Sequence, residues 1–234
     1  MIPHIMHDGN FLEQVLRQLS ITVTEMYRDP TFYLTLRTEV LPELQALPTL
    51  KIWHAGCATG EEVYSLAILL NEEGLYDRTR IYATDFNNNA LQVAQDGIYS
   101  TESIKTGTAN YISAGGRGSL SDYYHTEYGA TKMQEFLKRN ITFSHHNLAT
   151  DGPFSDMNLI LCRNVMIYFD RTLQQRVFSL FADSLYPDSF LCLGSRETLR
   201  FSDVSGFEEV APYDKIYRYT ADNHAKPVIK ETIA

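Results

Sequence analysis

Two glycines and three acidic residues stand where predicted strands end, the edge at which α/β sheets bind ligands. Gly56 and Gly60 bound a short turn after an apolar segment, and Glu61 and Glu62 follow it directly. Asp85 ends the next apolar segment. Glycine in such a turn lets the backbone approach a ligand without a Cβ clash. The spacing therefore predicts a nucleoside pocket.

The acidic residues indicate which ligand the pocket takes. The glycine spacing differs from the G-x-G-x-x-G dinucleotide fingerprint. Glu61 and Glu62 would compete with a phosphate for the amides and positive dipole of the helix N-terminus. They suit an ammonium and a sulfonium, as in S-adenosyl-L-methionine, and Asp85 could accept hydrogen bonds from both ribose hydroxyls. Alternatively, the glutamates are first-turn helix acids and Asp85 is a helix cap.

The elements that would position these residues alternate between strands and helices. This alternation predicts an α/β fold with a mostly parallel, doubly wound sheet. A helix at 8–19 and another at 30–41, which Pro42 should end, precede it. The predicted strands are 50–55, 80–85, 157–162 and 190–194, with a closing antiparallel pair at 208–210 and 215–219; the helices between them are 61–73, 88–95 and 173–185.

Residues 97–140 interrupt this alternation. Segments 123–128 and 131–143, joined by a turn at Gly129-Ala130, predict a β-hairpin within a small antiparallel insertion. The expected organisation is an N-terminal helix at 1–20, a main domain at 21–220 with the insertion at about 100–143, and a polar tail at 221–234.

Composition narrows the class of protein. The 20 Lys and Arg against 29 Asp and Glu give a net charge of −9, which disfavours nucleic acid as a partner. Cys57, Cys162 and Cys192 lie far apart in apolar runs, which predicts buried reduced thiols, no metal site and a cytoplasmic protein. No segment approaches the ~20 apolar residues needed to span a bilayer. We expect a monomer without membrane insertion.

Five motifs, in order between residues 21 and 219, resemble the chemotaxis-receptor glutamate O-methyltransferase family, CheR. This resemblance implies a Rossmann-like class I methyltransferase fold and S-adenosylmethionine as the cofactor. The motifs are TEMYRDP at 24–30, IWHAGCATGEEVYSLA at 52–67, ATDF at 83–86, CRNVMIYFD at 162–170 and LGSRETL at 193–199.

The resemblance also implies roles for individual residues. Arg28 and Tyr168 are associated with the acceptor and the transferred methyl group, and Arg28 is also placed at the cofactor. Judged alone, Arg28 would more often form a structural ion pair and Tyr168 would more often be a core residue. The implied cofactor contacts are Glu61 or Glu62 with the methionyl part, Asp85 with the ribose, Asn147 and Leu148 around the adenine, Asn164 and Val165 on the far side, and Thr22 and Thr24 closing over it, beside Gly56 and Gly60 in the turn.

Some positions depart from the family pattern. The usual G-H-S-E reads Gly194-Ser195-Arg196-Glu197, and the usual P-G-G reads Pro187-Asp188-Ser189. A single predicted helix precedes the catalytic part. The resemblance therefore supports catalysis more directly than it supports docking on a receptor. The hairpin turn at 128–130 looks short for gripping a receptor's tail peptide, which favours a tail-independent enzyme.

The resemblance predicts transfer of a methyl group to glutamate side chains on the cytoplasmic domain of methyl-accepting chemoreceptors. A glutamate with a pKa near ~4.3 is ionised at neutral pH, so the reaction needs no general base. Two alternatives remain: methylation of another acceptor, and a cofactor-binding signalling module with little turnover.

Overall fold

The computed structural model describes residues 24–200 and 202–220, and the chain divides into two compact units, Met1–Leu148 and Ala149–Ala234. Thr22, the predicted helix at 8–19 and the tail at 221–234 lie outside the described residues. The helices are Pro30–Thr35 (α1), Leu41–Leu44 (α2), Glu61–Glu72 (α3), Asn88–Asp96 (α4), Thr101–Ser113 (α5) and Arg171–Ser184 (α6). The strands are Leu50–Ala55 (β1), Thr79–Asp85 (β2), Ile98–Ser100 (β3), Tyr124–Glu127 (β4), Ala130–Met133 (β5), Ile141–His145 (β6), Met157–Cys162 (β7), Leu185–Leu193 (β8), Phe207–Ala211 (β9) and Ile216–Tyr219 (β10).

The main sheet of the first unit is parallel, in the order β6-β2-β1. Only Lys51 of the six β1 residues is exposed, as expected for a strand covered on both faces. Helix α3 is buried from Glu61 to Leu70, that is, in all but its last two residues. A helix that is buried all round belongs to the core. The core packing of α3 therefore holds its first turn in place at the carboxyl end of β1.

The second unit carries a mixed sheet. Strands β7 and β8 are parallel, while β10 pairs antiparallel with both β8 and β9. The predicted closing pair is therefore confirmed. Together with the first unit's parallel strands and a small antiparallel sheet, this confirms the predicted α/β fold class. All three cysteines are buried, as predicted. Among the described residues, no helix is both long and apolar enough to cross a bilayer.

The helix predicted to end before Pro42 continues to Leu44, so that boundary was wrong. A π-helical turn, Leu36–Val40, separates α1 from α2, and the Leu41 amide donates to the carbonyl of Leu36. Proline lacks an N–H and clashes with the carbonyl four residues earlier in a regular helix. The wider turn shifts the hydrogen-bond register, so Pro42 lies in the first turn of α2.

The predicted hairpin is real, but its second arm was wrong. Strand β5 ends at Met133, and the three-stranded antiparallel sheet has the order β3-β5-β4. Residues 141–145 form β6, which pairs in parallel with β2. The hairpin turn is as short as predicted, because Tyr128 and Gly129 adopt φ of 50° and 79° between the two strands. Helix α5, between β3 and β4, was not predicted.

Candidate active site

The turn between β1 and α3 is built on left-handed backbone. Gly56, Ala58 and Gly60 have φ of 77°, 48° and 92°. The amides of Gly56 and Cys57 both donate to the carbonyl of Thr84, at 2.8 and 2.9 Å. A Cβ on Gly60 would lie 2.8 Å from the Cβ of Ala94, so glycine is required there sterically as well as by φ. The predicted close-approach turn is present.

Asp85 ties this turn to the end of β2. Its Oδ2 accepts the amide of Ala58 at 2.8 Å, and its Oδ1 accepts the amide of Asn87 at 2.9 Å. The side chain is buried, and burial raises the pKa of the Asp85 carboxyl. A carboxylate has about four acceptor positions, more than the backbone amides around it use, so Asp85 can still accept a hydrogen bond from a ligand's hydroxyl. The cap alternative is not what forms, because Asn87 caps α4.

Glu61 and Glu62 are both buried in the first turn of α3 but face different neighbours. Glu61 accepts the hydroxyl of Thr59 at 2.6 Å, whereas Glu62 Oε1 lies 3.3 Å from Nε2 of His54. Burial raises the pKa of Glu61. A cation beside these carboxylates would favour their ionised forms.

Arg28 lies in a strained segment fixed against α3. Tyr27 and Asp29 adopt φ of 54° and 56°, in a region that L-residues seldom occupy. The Tyr27 amide donates to Oγ of Ser65 at 3.0 Å, and that hydroxyl donates to the carbonyl of Glu61 at 2.8 Å. Two hydrogen bonds therefore join the Arg28 segment to the helical turn that carries the glutamates. Sequence reasoning missed Ser65, although it lies within the quoted motif.

Tyr27 itself anchors the segment through its ring. The ring is fully buried, with its centroid 4.8 Å from that of Tyr33 and 5.2 Å from that of Tyr111. Thr24, predicted to close over the cofactor, is half-buried three residues earlier.

The chain beyond β6 passes the same strand end. Asp85 pairs with His145 in register, and the amide of His146 donates to the Asp85 carbonyl at 3.1 Å. Asn147 and Leu148 follow immediately, half-buried and buried respectively. The structure therefore brings the glycine turn, Asp85, Asn147 and Leu148 to the carboxyl ends of β1, β2 and β6, and Ser65 joins the Arg28 segment to the first turn of α3.

Glu197 organises the second unit's candidate residues. Its carboxylate accepts four backbone amides, from Asn164 (3.0 Å), Val165 (2.9 Å), Met166 (2.7 Å) and Gly194 (2.6 Å). Asn164 has φ of 60°, and a Cβ on Gly194 would lie 2.7 Å from its amide nitrogen. The sequence offered Glu197 as part of a motif without a role, so this anchor was missed.

Tyr168 closes the 3-10 turn Met166–Tyr168 that Glu197 holds. Its side chain is 58% exposed, which excludes the core-residue alternative. Asn164 and Val165, at the start of the same loop, are half-buried. The structure thus groups the three second-unit candidates in one loop after β7.

The donor set of the first unit fits S-adenosylmethionine. Two buried acids supply negative charge suited to an ammonium and a sulfonium, Asp85 has acceptor capacity for a ribose hydroxyl, and the turn at Gly60 leaves no room for a side chain. Bound there, the cofactor would be held by Glu61 or Glu62 and by Asp85.

Replacing Asp85 with alanine is expected to weaken binding of S-adenosylhomocysteine about 10- to 100-fold, measured by isothermal titration calorimetry. The variant loses a charged acceptor, for which each hydrogen bond contributes about 1.5–3 kcal/mol, and it releases the Ala58 amide. For the wild type, affinity should fall as the pH is lowered through the raised pKa of Asp85, because protonation removes acceptor capacity. Asp85→Asn should flatten that pH dependence.

Asp77→Asn is the matched control, because Asp77 is an exposed aspartate whose side chain pairs with Arg139. Its affinity for S-adenosylhomocysteine should equal that of the wild type at each pH. Equal affinities of the Asp85→Ala variant and the wild type would remove Asp85 from the cofactor site.

Comparison with known proteins matches residues 22–214 to the family described as CheR methyltransferase, SAM binding domain. A Pseudomonas putida protein named as the methyltransferase Cher3 is 48% identical over 92% of this chain and 79% of its own length. A Borreliella burgdorferi chemotaxis protein methyltransferase is 31% identical over 88% of this chain and 75% of its own. A 104.1 kDa Rhodobacter capsulatus protein is 32% identical over 82% of this chain but only 20% of that protein. The chain belongs to the CheR family of methyltransferases that use S-adenosylmethionine.

Proposed function

We propose that this protein methylates glutamate side chains on the cytoplasmic domains of chemoreceptors. The Borreliella relative is named a chemotaxis protein methyltransferase, and so is one from Listeria monocytogenes, 29% identical over 84% of this chain. The observation that carries the proposal is the Tyr27–Ser65–Glu61 connection, which fixes the Arg28 segment against the turn that bears the cofactor-site acids. A guanidinium in that position suits a carboxylate acceptor.

The residues act by binding and alignment. S-adenosylmethionine supplies an electrophilic methyl group on a cationic sulfur. A glutamate oxygen forms the new bond to the methyl carbon, the C–S electron pair stays on sulfur, and the products are a glutamate methyl ester and S-adenosylhomocysteine. Arg28 would hold one face of the carboxylate and leave the other oxygen free to react. Tyr168 would orient that oxygen through its hydroxyl. Alignment of this kind contributes roughly 7–11 kcal/mol at best.

Acid–base chemistry has no necessary part in this reaction. The acceptor is already ionised at neutral pH, and its product is neutral. Glu61, Glu62 and Asp85 would therefore serve to hold the cofactor, with no proton to transfer. The short Tyr128-Gly129 turn between β4 and β5 supports a receptor interaction that does not depend on a tail peptide.

The test measures transfer of radiolabelled methyl groups to a soluble cytoplasmic fragment of a chemoreceptor. The labelled fragment is then treated with mild base. We expect incorporation that base releases as volatile methanol, because methyl esters hydrolyse whereas methyl ethers and methylamines do not. A fragment with its methylated glutamates changed to alanine is the control. Base-stable label would indicate a different acceptor, and tight cofactor binding without any incorporation would indicate a signalling module.

A further inference from the structure

The second unit contains an open cleft beside the Tyr168 turn that the proposed chemistry does not use. It encloses ≈ 360 Å³ between the Met166–Tyr168 turn, the start of α6 and the turn at 196–198. This volume lies at the small end of the range of ~300–1,000 Å³ for ligand pockets. Met166, Ile167 and Phe178 form its apolar lining. Ile167 is 42% exposed, so the apolar lining reaches the surface.

Two arginines line this cleft. Arg171 begins α6, and Arg196 lies in the turn after β8; both side chains are exposed. Within the described residues, neither guanidinium makes a hydrogen bond or an ion pair. The acid that lines the cleft with them, Glu197, already accepts four backbone amides. Two arginines against this one acid leave the described cleft lining with a net charge of +1.

This positive charge is unusual for the chain. The protein has a net charge of −9, so an acidic partner is repelled by the surface as a whole. A local pair of arginines can overcome that repulsion at one place, because an exposed guanidinium binds carboxylates in a bidentate geometry. The apolar side chains of the same lining would take the stem of a glutamate or a neighbouring aliphatic side chain.

We propose that this cleft, bounded by Arg171, Arg196, Ile167 and Phe178, docks an acidic segment of the protein substrate next to the glutamate that is methylated. The proposal rests on the proposed function, since it identifies Tyr168, on the turn that lines the cleft, with the acceptor. It assigns substrate selection in part to Arg196, where the family's usual motif has a different residue. The occupant is a protein segment that carries both carboxylates and an apolar side chain.

The test compares the double variant Arg171→Ala/Arg196→Ala with the wild type, using a fluorescently labelled cytoplasmic chemoreceptor fragment. Fragment affinity is measured by anisotropy with the enzyme saturated in S-adenosylhomocysteine, and KM and kcat are measured by methyl incorporation. We expect the Kd and KM for the fragment to rise roughly 2- to 30-fold, from two exposed charge pairs, while kcat and cofactor affinity stay unchanged. Raised salt should weaken wild-type binding more than that of the variant.

Arg139→Ala/Lys105→Ala is the matched control, because it removes the same charge from exposed side chains outside the cleft. A charge exchange adds a second readout: Arg171→Glu/Arg196→Glu should prefer a fragment whose acidic residues near the acceptor are changed to lysine. Methylation with an unchanged Kd and KM in the alanine double variant overturns the docking site but leaves the proposed function standing. If binding depends on the arginines but no methyl group is transferred, the proposed function is overturned and the docking site stands. A wild type that binds no fragment overturns the docking site.

Discussion

Replacing Arg28 with alanine is expected to lower kcat for methyl transfer at least ~100-fold while the Kd for S-adenosylhomocysteine stays within a few-fold. The reason is positional: without the guanidinium, the acceptor carboxylate is no longer held in line with the methyl group, and misplacement of ~1 Å can cost about 100-fold. Arg28→Lys should recover little of the loss, since an ammonium cannot reproduce the planar fork. Initial rates with a chemoreceptor fragment and calorimetry with the cofactor product measure the two quantities separately.

Tyr27→Phe is the control for this variant. Tyr27 is the adjacent residue, and its buried hydroxyl has no hydrogen-bond partner among the described residues. Its removal should leave both rate and affinity near wild type, because no hydrogen bond is lost. An Arg28→Ala variant that turns over within a few-fold of wild type would refute the catalytic assignment.

Replacing Glu197 with alanine is expected to lower the free energy of unfolding by about 3–5 kcal/mol, measured by urea denaturation. Four backbone amides share this one buried carboxylate, and a buried amide without an acceptor costs about 1–3 kcal/mol. Once the side chain is gone, water can reach part of the loop and bind some of these amides. The loss of stability should therefore be smaller than the sum of the four separate costs. Glu197→Gln keeps one acceptor oxygen and should lose less.

Glu209→Ala provides the comparison for Glu197. Glu209 also lies in the second unit, but among the described residues its carboxylate makes only a 3.5 Å ion pair with exposed Arg200. Ion pairs of that kind contribute about 0–1 kcal/mol. If the two variants are equally stable, Glu197 does not anchor the loop from Asn164 to Tyr168.

The regular part of the fold was predictable because its signals are local. Segment 50–55 is short and apolar, and it ends at glycines, so β1 and its turn could be placed within a residue. The register shift at Leu36–Val40 could not be predicted, since proline normally ends a helix and the wider turn that accommodates Pro42 has no composition of its own. The second hairpin arm was wrong for another reason: a 3-10 turn at Glu135–Leu137 separates β5 from β6, and only the pairing of β6 with β2 shows which sheet it joins.

The candidate site likewise contains residues that could be predicted from the sequence and residues that could not. Gly60, Glu61 and Asp85 were recognisable because residue type and position relative to a strand end imply a ligand. Ser65 and Glu197, which fix the Arg28 segment and the Asn164–Tyr168 loop, act through backbone amides far away in sequence, and a hydroxyl or carboxylate carries no sequence mark of that partner. Motif resemblance identified both as members of a pattern but gave neither a role.

The hydroxyl of Ser65 has a consequence for how the two ligands communicate. It receives a hydrogen bond from the segment that presents Arg28 and gives one to the turn that carries Glu61. A shift of either segment on ligand binding would therefore displace the other segment. The binding equilibria of cofactor and acceptor would then be coupled. Thermodynamic linkage then requires symmetry: the factor by which cofactor tightens or loosens acceptor binding equals the factor by which acceptor changes cofactor binding.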